Sequence, residues 1–268
     1  MNTIKTKAAS FWVSLMREAA GQIDYGEPLP ELTREFISVW SRHYATIAGI
    51  TMPKAPFLEI GTGFGILAAG LGAMAGGTVF GTEHPTRNYL FNPGYRRFLK
   101  NYGVQIIAND LTEGLPFVDC SISQIYLCDV IEHLFVPDAV CLLSEISRVL
   151  PIGGELILST PNINRLSNLF RFFRGHSINP PQLIASCGNT HGHVHEFAPK
   201  EISALLEDAR LKPMRVQFGL NSLYTTSVFG SEKQVSPETA KQINRLTAFI
   251  CRFFPGFGDQ IFILAQRI

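Results

Sequence analysis

Two groups of residues in this sequence have the types and spacing to do chemistry. The first is the run Glu59-Ile60-Gly61-Thr62-Gly63-Phe64-Gly65, three glycines at alternate positions behind a carboxylate. Such glycines let a chain turn sharply and let backbone N–H groups approach a ligand without Cβ interference. A helix that starts just beyond them points its positive end at the same spot. Gly63-x-Gly65-x-x-Ala68 also satisfies the dinucleotide fingerprint, and Glu83 lies at about the right distance to hold a ribose. Three features separate the readings. Glu59 would repel a pyrophosphate but suits a ligand carrying an ammonium group. In Asn109-Asp110-Leu111, the Asp can accept a hydrogen bond from an exocyclic adenine amine while the Leu gives apolar cover. Cys128-Asp129-Val130-Ile131-Glu132-His133-Leu134 sets titratable groups at the end of another strand.

The second group is histidine-rich: Thr190-His191-Gly192-His193-Val194-His195-Glu196. Alternating histidines share one side of an extended strand, and two imidazoles can bind zinc. No further carboxylate or thiolate stands at a fixed spacing from them, so the expectation is no metal. Imidazoles also serve as general bases near neutral pH. The candidates are His133, His193 and His195.

Placing these residues requires a particular order of elements. Residues 1–52 read as a helical cap, with Phe11, Trp12, Leu15 and Met16 on one apolar face. Leu32, Phe36, Val39, Trp40, Tyr44 and Ile47 make a second, beyond Pro28 and Pro30. Residues 53–268 then alternate strands and helices. Strands are expected at 56–60, 78–82, 104–108, 122–128 and 154–159, with helices at 65–74, 88–101 and 138–149 between them. Two inserts, 162–198 and 221–258, interrupt the later part, around a helix at 200–209 and a strand at 214–218. A helix at 237–254 and a last strand at 260–265 finish the chain. The pattern predicts an α/β fold: a Rossmann-like, doubly wound, mostly parallel seven-stranded sheet whose ligands bind at the strand C-terminal edge. The last strand is expected to be antiparallel and at the sheet edge.

Composition narrows the classes. Apolar residues make up 46% and charged residues 17% of 268, which suits a globular fold with a sizeable core. A formal net charge of +1 gives no global pull toward nucleic acid. The five cysteines (120, 128, 141, 187 and 251) include no C-x-x-C pair, so reduced thiols are expected. The uncharged stretch from Ile60 to Thr82 is long enough to span a membrane, but its eight glycines fit a strand, loop, helix and strand better. Phe11 to Met16 is too short for a signal sequence. The expected location is cytoplasmic, with room for peripheral membrane contact. Basic and aromatic residues interleave in Arg165-Leu-Ser-Asn-Leu-Phe-Arg-Phe-Phe-Arg174. A later helix sets Ile243, Leu246, Ile250 and Phe253 beside Lys241, Arg245 and Arg252. Segments of this kind suit either a lid over an acceptor pocket or a lipid surface.

Taken together, these motifs resemble the class I S-adenosylmethionine-dependent methyltransferases, in the ubiquinone-biosynthesis-like small-molecule branch (types 11 and 23). Glu59-x-Gly61-x-Gly63-x-Gly65 is similar to the first motif of that family. Glu83 is similar to its ribose-binding acid, Asp110 to its adenine-contacting Asp, and Asp129 to Leu134 to its strand-four motif. Arg148-Val-Leu-Pro-Ile-Gly-Gly-Glu155 is similar to its turn before strand five. Thr82-Glu83-His84 departs from the more usual Asp followed by a small residue. The resemblance spans roughly 56–211. It implies S-adenosylmethionine as cofactor, held by Glu59, Gly61, Thr62, Gly63, Phe64, Gly65, Glu83, His84, Asn109, Asp110, Leu111, Cys128 and Asp129. It also implies a methyl acceptor that is a small molecule, glycan or lipid-linked compound, methylated at oxygen, with His133 and His193 as catalytic residues. The competing functions are an NAD(P)-dependent oxidoreductase and a non-catalytic nucleotide-binding protein.

Overall fold

The computed structural model describes residues 2–22, 34–176, 178, 193–220 and 237–268. Two helices come first, α1 (Asn2–Gln22) and α2 (Arg34–Ala48). Pro28 and Pro30, expected at their junction, and Leu32, expected on the second apolar face, lie outside the described residues, as do His191 and Cys187. The series β1 (Phe57–Ile60), α3 (Ile66–Ala75), β2 (Val79–Glu83), α4 (Pro93–Asn101) and β3 (Val104–Ala108) follows. It continues with β4 (Gln124–Cys128), α5 (Val136–Val149) and β5 (Glu155–Pro161). The last elements are α6 (Leu166–Phe173), α7 (Pro199–Asp208), β6 (Leu211–Gly219), α8 (Pro237–Phe253) and β7 (Gln260–Arg267).

The seven strands form one sheet in the order β3-β2-β1-β4-β5-β7-β6. β1 to β5 pair in parallel, and β7 runs antiparallel to both of its neighbours. Side chains alternate across the sheet, so each strand feeds two cores. Phe57, Val79, Tyr126, Ile157 and Phe262 pack under α1, α3 and α4. Leu58, Ile125, Leu127, Leu158 and Ile263 pack under α5 and α7. This is the two-sided burial that a parallel sheet needs.

Two expectations are corrected. β7 is antiparallel, but it is not an edge strand; it lies between β5 and β6. Its Ile261, Phe262, Ile263 and Ala265 are buried, with Ile261 and Ile263 on one face and Phe262 on the other, and such a strand belongs inside a sheet. β6 takes the edge. Its mid-strand residues are largely exposed and include Lys212, Pro213 and Arg215, residues that blunt an open edge. The helix expected over 88–101 is broken in two. A 3₁₀ turn covers Asn88–Phe91, then α4 restarts at Pro93. Pro93 has no N–H and excludes the preceding turn, while the Asn92 side chain caps α4 by accepting from Gly94 N (2.7 Å) and Tyr95 N (3.2 Å).

The N-terminal helices are part of the core. Trp12 is fully buried against α3, where a Cβ on Gly70 would lie 2.0 Å from its ring. Only glycine leaves room for this approach. α2 brings His43 over the sheet against Phe262, with ring centroids 5.3 Å apart.

Candidate functional site

At the C-terminal ends of β1 and β2, the glycine loop meets an acid. Gly61, Gly63 and Gly65 have φ of 70°, 50° and 73°, the left-handed region that glycine enters at no steric cost. Beside Gly63 there is open space where a side chain would be. Gly63 N donates to Glu83 Oε2 at 2.7 Å, and His84 N donates to Glu83 Oε1 at 2.8 Å. Tyr95 braces the loop from α4 by donating its hydroxyl to Gly63 O (3.0 Å). Thr62 lies 3.1 Å from the same hydroxyl, and Phe64 packs on the neighbouring core.

Glu59 is buried under this loop, and its Oε2 has no hydrogen-bond partner among the described residues. Burial pushes its carboxyl well above the ordinary carboxylate range, an Ala68 N–H partly offsets this, and the Glu83 charge adds to it. At the end of β3, Asp110 caps a 3₁₀ turn that begins at Leu111, accepting from Thr112 N and Oγ1. Its other oxygen lies 3.5 Å from His84 Nε2. The Thr112 bonds hold Asp110 below its ordinary value despite some desolvation. Asn109 ties the same turn by donating to the carbonyls of Asp110 and Gly114. Thus Glu83, His84, Gly63, Asn109 and Asp110 come together at adjoining strand ends.

β4 ends in a second cluster. Gly61 packs so closely on Val130 that a Cβ there would lie 2.5 Å from it, so the loop and the β4 turn abut. Cys128 closes β4; burial, then the Asp129 charge, pushes its thiol up, and it stays neutral. Asp129 has φ of 55°, uncommon for a side-chain-bearing residue. His43 Nε2 lies 2.7 Å from its Oδ2, and Gln260 donates to its Oδ1. Burial raises Asp129, but these partners outweigh it and hold it below its ordinary value.

The next residues turn inward. Glu132 is 1% exposed, not solvated, and its Oε2 accepts from Thr160 Oγ1 at 3.0 Å. Its backbone carbonyl accepts from Val194 N (2.7 Å) and His195 N (3.1 Å). Those bonds carry His193 to His133, with ring centroids 5.2 Å apart. Behind His193, Nδ1 lies 2.8 Å from Glu196 Oε1. Glu196 is buried and gripped by both Arg165 nitrogens (2.6 and 3.0 Å) and by Asn168. Burial raises its carboxyl, yet the His193 bond and the Arg165 charge bring it down to about 2. His195 is not in this group: its Nε2 pairs with Glu201 at the start of α7 (2.8 Å).

Sequence reasoning missed His43, Thr160, Glu196 and Gln260 as members of this cluster. Only Glu196 left a local signal, three residues after His193. The others come from distant elements that the sheet brings together.

A nucleoside ligand with a charged amine fits these residues. The partnerless Glu59 oxygen can receive an ammonium, the space at Gly63 admits a backbone-hugging ligand, and Glu83 and Asp110 offer acceptors to hydroxyl and amine groups. Comparison with known proteins agrees. Residues 58–158 match the family model described as a methyltransferase domain. A curated ubiquinone biosynthesis O-methyltransferase from Dechloromonas aromatica (strain RCB) is 25% identical over 170 residues, 61% of this chain and 67% of that protein. Among solved structures, a S-adenosylmethionine-dependent methyltransferase from Mesorhizobium loti superposes with TM-score 0.58 at 12% identity, covering 85% of this chain and 98% of that one. Another from Archaeoglobus fulgidus gives 0.53 at 19%, covering 88% and 95%.

Proposed function

The chain is a class I S-adenosylmethionine-dependent methyltransferase, and we propose that it methylates a hydroxyl oxygen of a small or lipid-linked acceptor. The observation that carries this reading is the His133–His193 pair, backed by Glu196 and set beside the glycine loop's own neighbour, the β4 turn. A hydroxyl gains most from such a pair, because imidazole and carboxylate together ease the loss of its proton. The relative named for O-methylation supports the same choice. S-adenosylmethionine supplies an already activated methyl on a sulfonium, so holding the acceptor in line with it is most of the remaining task.

In this reading Glu59 holds the ammonium and Gly61 to Gly65 line the cofactor. Glu83 and His84 meet the ribose, and Asn109, Asp110 and Leu111 meet the adenine. Cys128 and Asp129 border the sulfonium. His133 and His193 meet the acceptor's hydroxyl and promote its deprotonation. The insert helices carry apolar side chains outward beside arginines: Phe170, Phe172 and Phe173 on α6 with Arg174 just beyond it, and Leu246, Phe249 and Phe253 with Arg245 and Arg252 on α8. Asn162 ties the approach to α6 to the turn after α8 by donating to Gly256 O and Gly258 O. That pattern supports an acceptor with an apolar tail presented at a lipid surface. Among the described residues no helix is long and apolar enough to cross a membrane. A cytoplasmic location fits a chain that approaches that surface from one side.

The test is methyl transfer from deuterium-labelled S-adenosylmethionine to matched aromatic hydroxyl and amine acceptors, with and without a prenyl tail. Label on oxygen, with the tailed hydroxyl preferred, is expected. His193→Ala should retain cofactor binding and lose turnover by about 100-fold or more. Label on nitrogen alone, or a fully active His193→Ala, would refute the assignment.

A further inference from the structure

Glu132, His133 and His193 each offer one ligand atom, and these three atoms all lie within 4.8 Å of one another. Two of the residues follow β4; the third arrives through the bonds from Val194 N and His195 N to the Glu132 carbonyl. The environment calls for a cation. Glu132 is buried, and among the described residues no cationic side chain forms an ion pair with it. Asp129 and Glu196 add two more carboxylates nearby; among the described residues, the basic groups paired with them are His43, Arg165 and His193 itself. A buried carboxylate in this position needs either a proton or a positive partner.

The arrangement around His193 supplies a second observation. Its Nδ1 lies 2.8 Å from Glu196 Oε1, which leaves Nε2 as the ring nitrogen to offer an ion. Carboxylate behind imidazole in front of an ion is how proteins orient a metal-ligating histidine. Here that carboxylate is itself fixed by Arg165 and Asn168. Thr160 does the corresponding job for Glu132.

We propose that Glu132 Oε, His133 and His193 Nε2 bind one divalent transition-metal ion of the zinc type, leaving a coordination position open toward the acceptor. Two imidazoles and one carboxylate are the donor set of catalytic zinc and of facial-triad sites, whereas magnesium and calcium prefer oxygen donors. With bonds of about 2.0–2.1 Å, tetrahedral ligand atoms sit about 3.4 Å apart, a spacing inside the 4.8 Å that encloses these three atoms. The inference rests on the reading of this edge as the acceptor site and names how the cluster would act there. The ion takes the hydroxyl oxygen as an open-position ligand and favours release of its proton to solvent. That oxygen then forms its bond to the methyl carbon as the carbon–sulfur bond breaks. The electron pair stays on sulfur, giving the methyl ether and S-adenosylhomocysteine.

The experiment uses the full chain stripped with chelator. Zn2+ is titrated calorimetrically, Co2+ by its visible ligand-field absorption, and S-adenosylhomocysteine in the same samples. The expected result is one ion per chain with micromolar or tighter affinity. Glu132→Gln and His193→Ala should abolish it, and Glu196→Gln should weaken it by about 10- to 100-fold. All three variants should still bind S-adenosylhomocysteine, which reports that they are folded. Absence of saturable Zn2+ and Co2+ binding in the stripped wild type would overturn the proposal, as would binding undiminished by both ligand substitutions. If S-adenosylhomocysteine binds and the metals do not, only the metal site falls. If neither binds, the acceptor-site reading falls with it.

Discussion

Gly63 N holds Glu83 at the glycine loop and His193 holds Glu196 beyond β4, and the two contacts differ in how far apart in the chain their surroundings lie. Glu59 and the three glycines sit within seven positions, so their relation is written locally, and Glu83 and Asp110 each mark the end of a strand whose pattern is plain. The proposed acceptor side is not legible in this way. Glu132 and Glu196 are 64 positions apart, and only folding sets them around the same histidines. Glu132 lies in the turn after β4, 61 positions before His193, so no spacing along the chain marks the two as neighbours. Glu196 also makes a prediction in pH. Its carboxyl falls from 4.5 in the unfolded chain to about 2 in the folded one. Above pH 4.5 both states are ionised and the pair's stabilisation is complete. As the pH drops from 4.5 toward 2, the unfolded state takes up a proton first and the stabilisation drains away, on the order of 3 kcal/mol in all. Urea unfolding at a series of pH values should therefore show Glu196→Gln less stable than wild type at pH 6, with the gap closing steadily toward pH 2. A gap independent of pH would contradict the ionised Glu196–Arg165 pair.

At the scale of elements, strands and helices were legible from period and punctuation, and the misses have physical causes. An apolar strand looks the same whether it is inserted or terminal. β7 is interior because β6 pairs with its far side through residues 211–219, a long-range choice that local pattern does not encode. The split at Pro93 is local, and Asn92-Pro93 is the cap signal that marks it. The apolar faces of the N-terminal helices are legible in their spacing, but the docking of α1 is not: the fit of Trp12 over Gly70 depends on two surfaces 58 residues apart. Trp12→Ala should cost about 3–5 kcal/mol in chemical denaturation, the usual loss for an aromatic removed from a closed core. A change below about 0.5 kcal/mol would mean that α1 is not docked as described.

At the scale of the whole molecule, the sheet does two separate tasks along one edge. In the proposed reading, β1, β2 and β3 end in a cofactor side built from backbone amides, glycines and fixed carboxylates. In the same reading, β4 and β5, with the segment returning to Phe197, end in an acceptor side built from histidines and buried ion pairs. His43 from α2 and Gln260 from β7 both reach Asp129 at the boundary. The N-terminal helices and the last strand are thereby part of the site's frame. Open α/β sheets host many chemistries at this edge, so the chemistry follows from the side chains there and not from the fold. The glycine loop alone would suit a dinucleotide; the buried Glu59 carboxylate beneath it does not. The most direct measurement is calorimetric titration of the wild type and Gly63→Arg with S-adenosylhomocysteine and with NADH. Saturable wild-type binding of S-adenosylhomocysteine, no heat from NADH, and loss of binding when an arginine fills the open space at Gly63 are the expected results. Tight NADH binding with no response to S-adenosylhomocysteine would contradict the account.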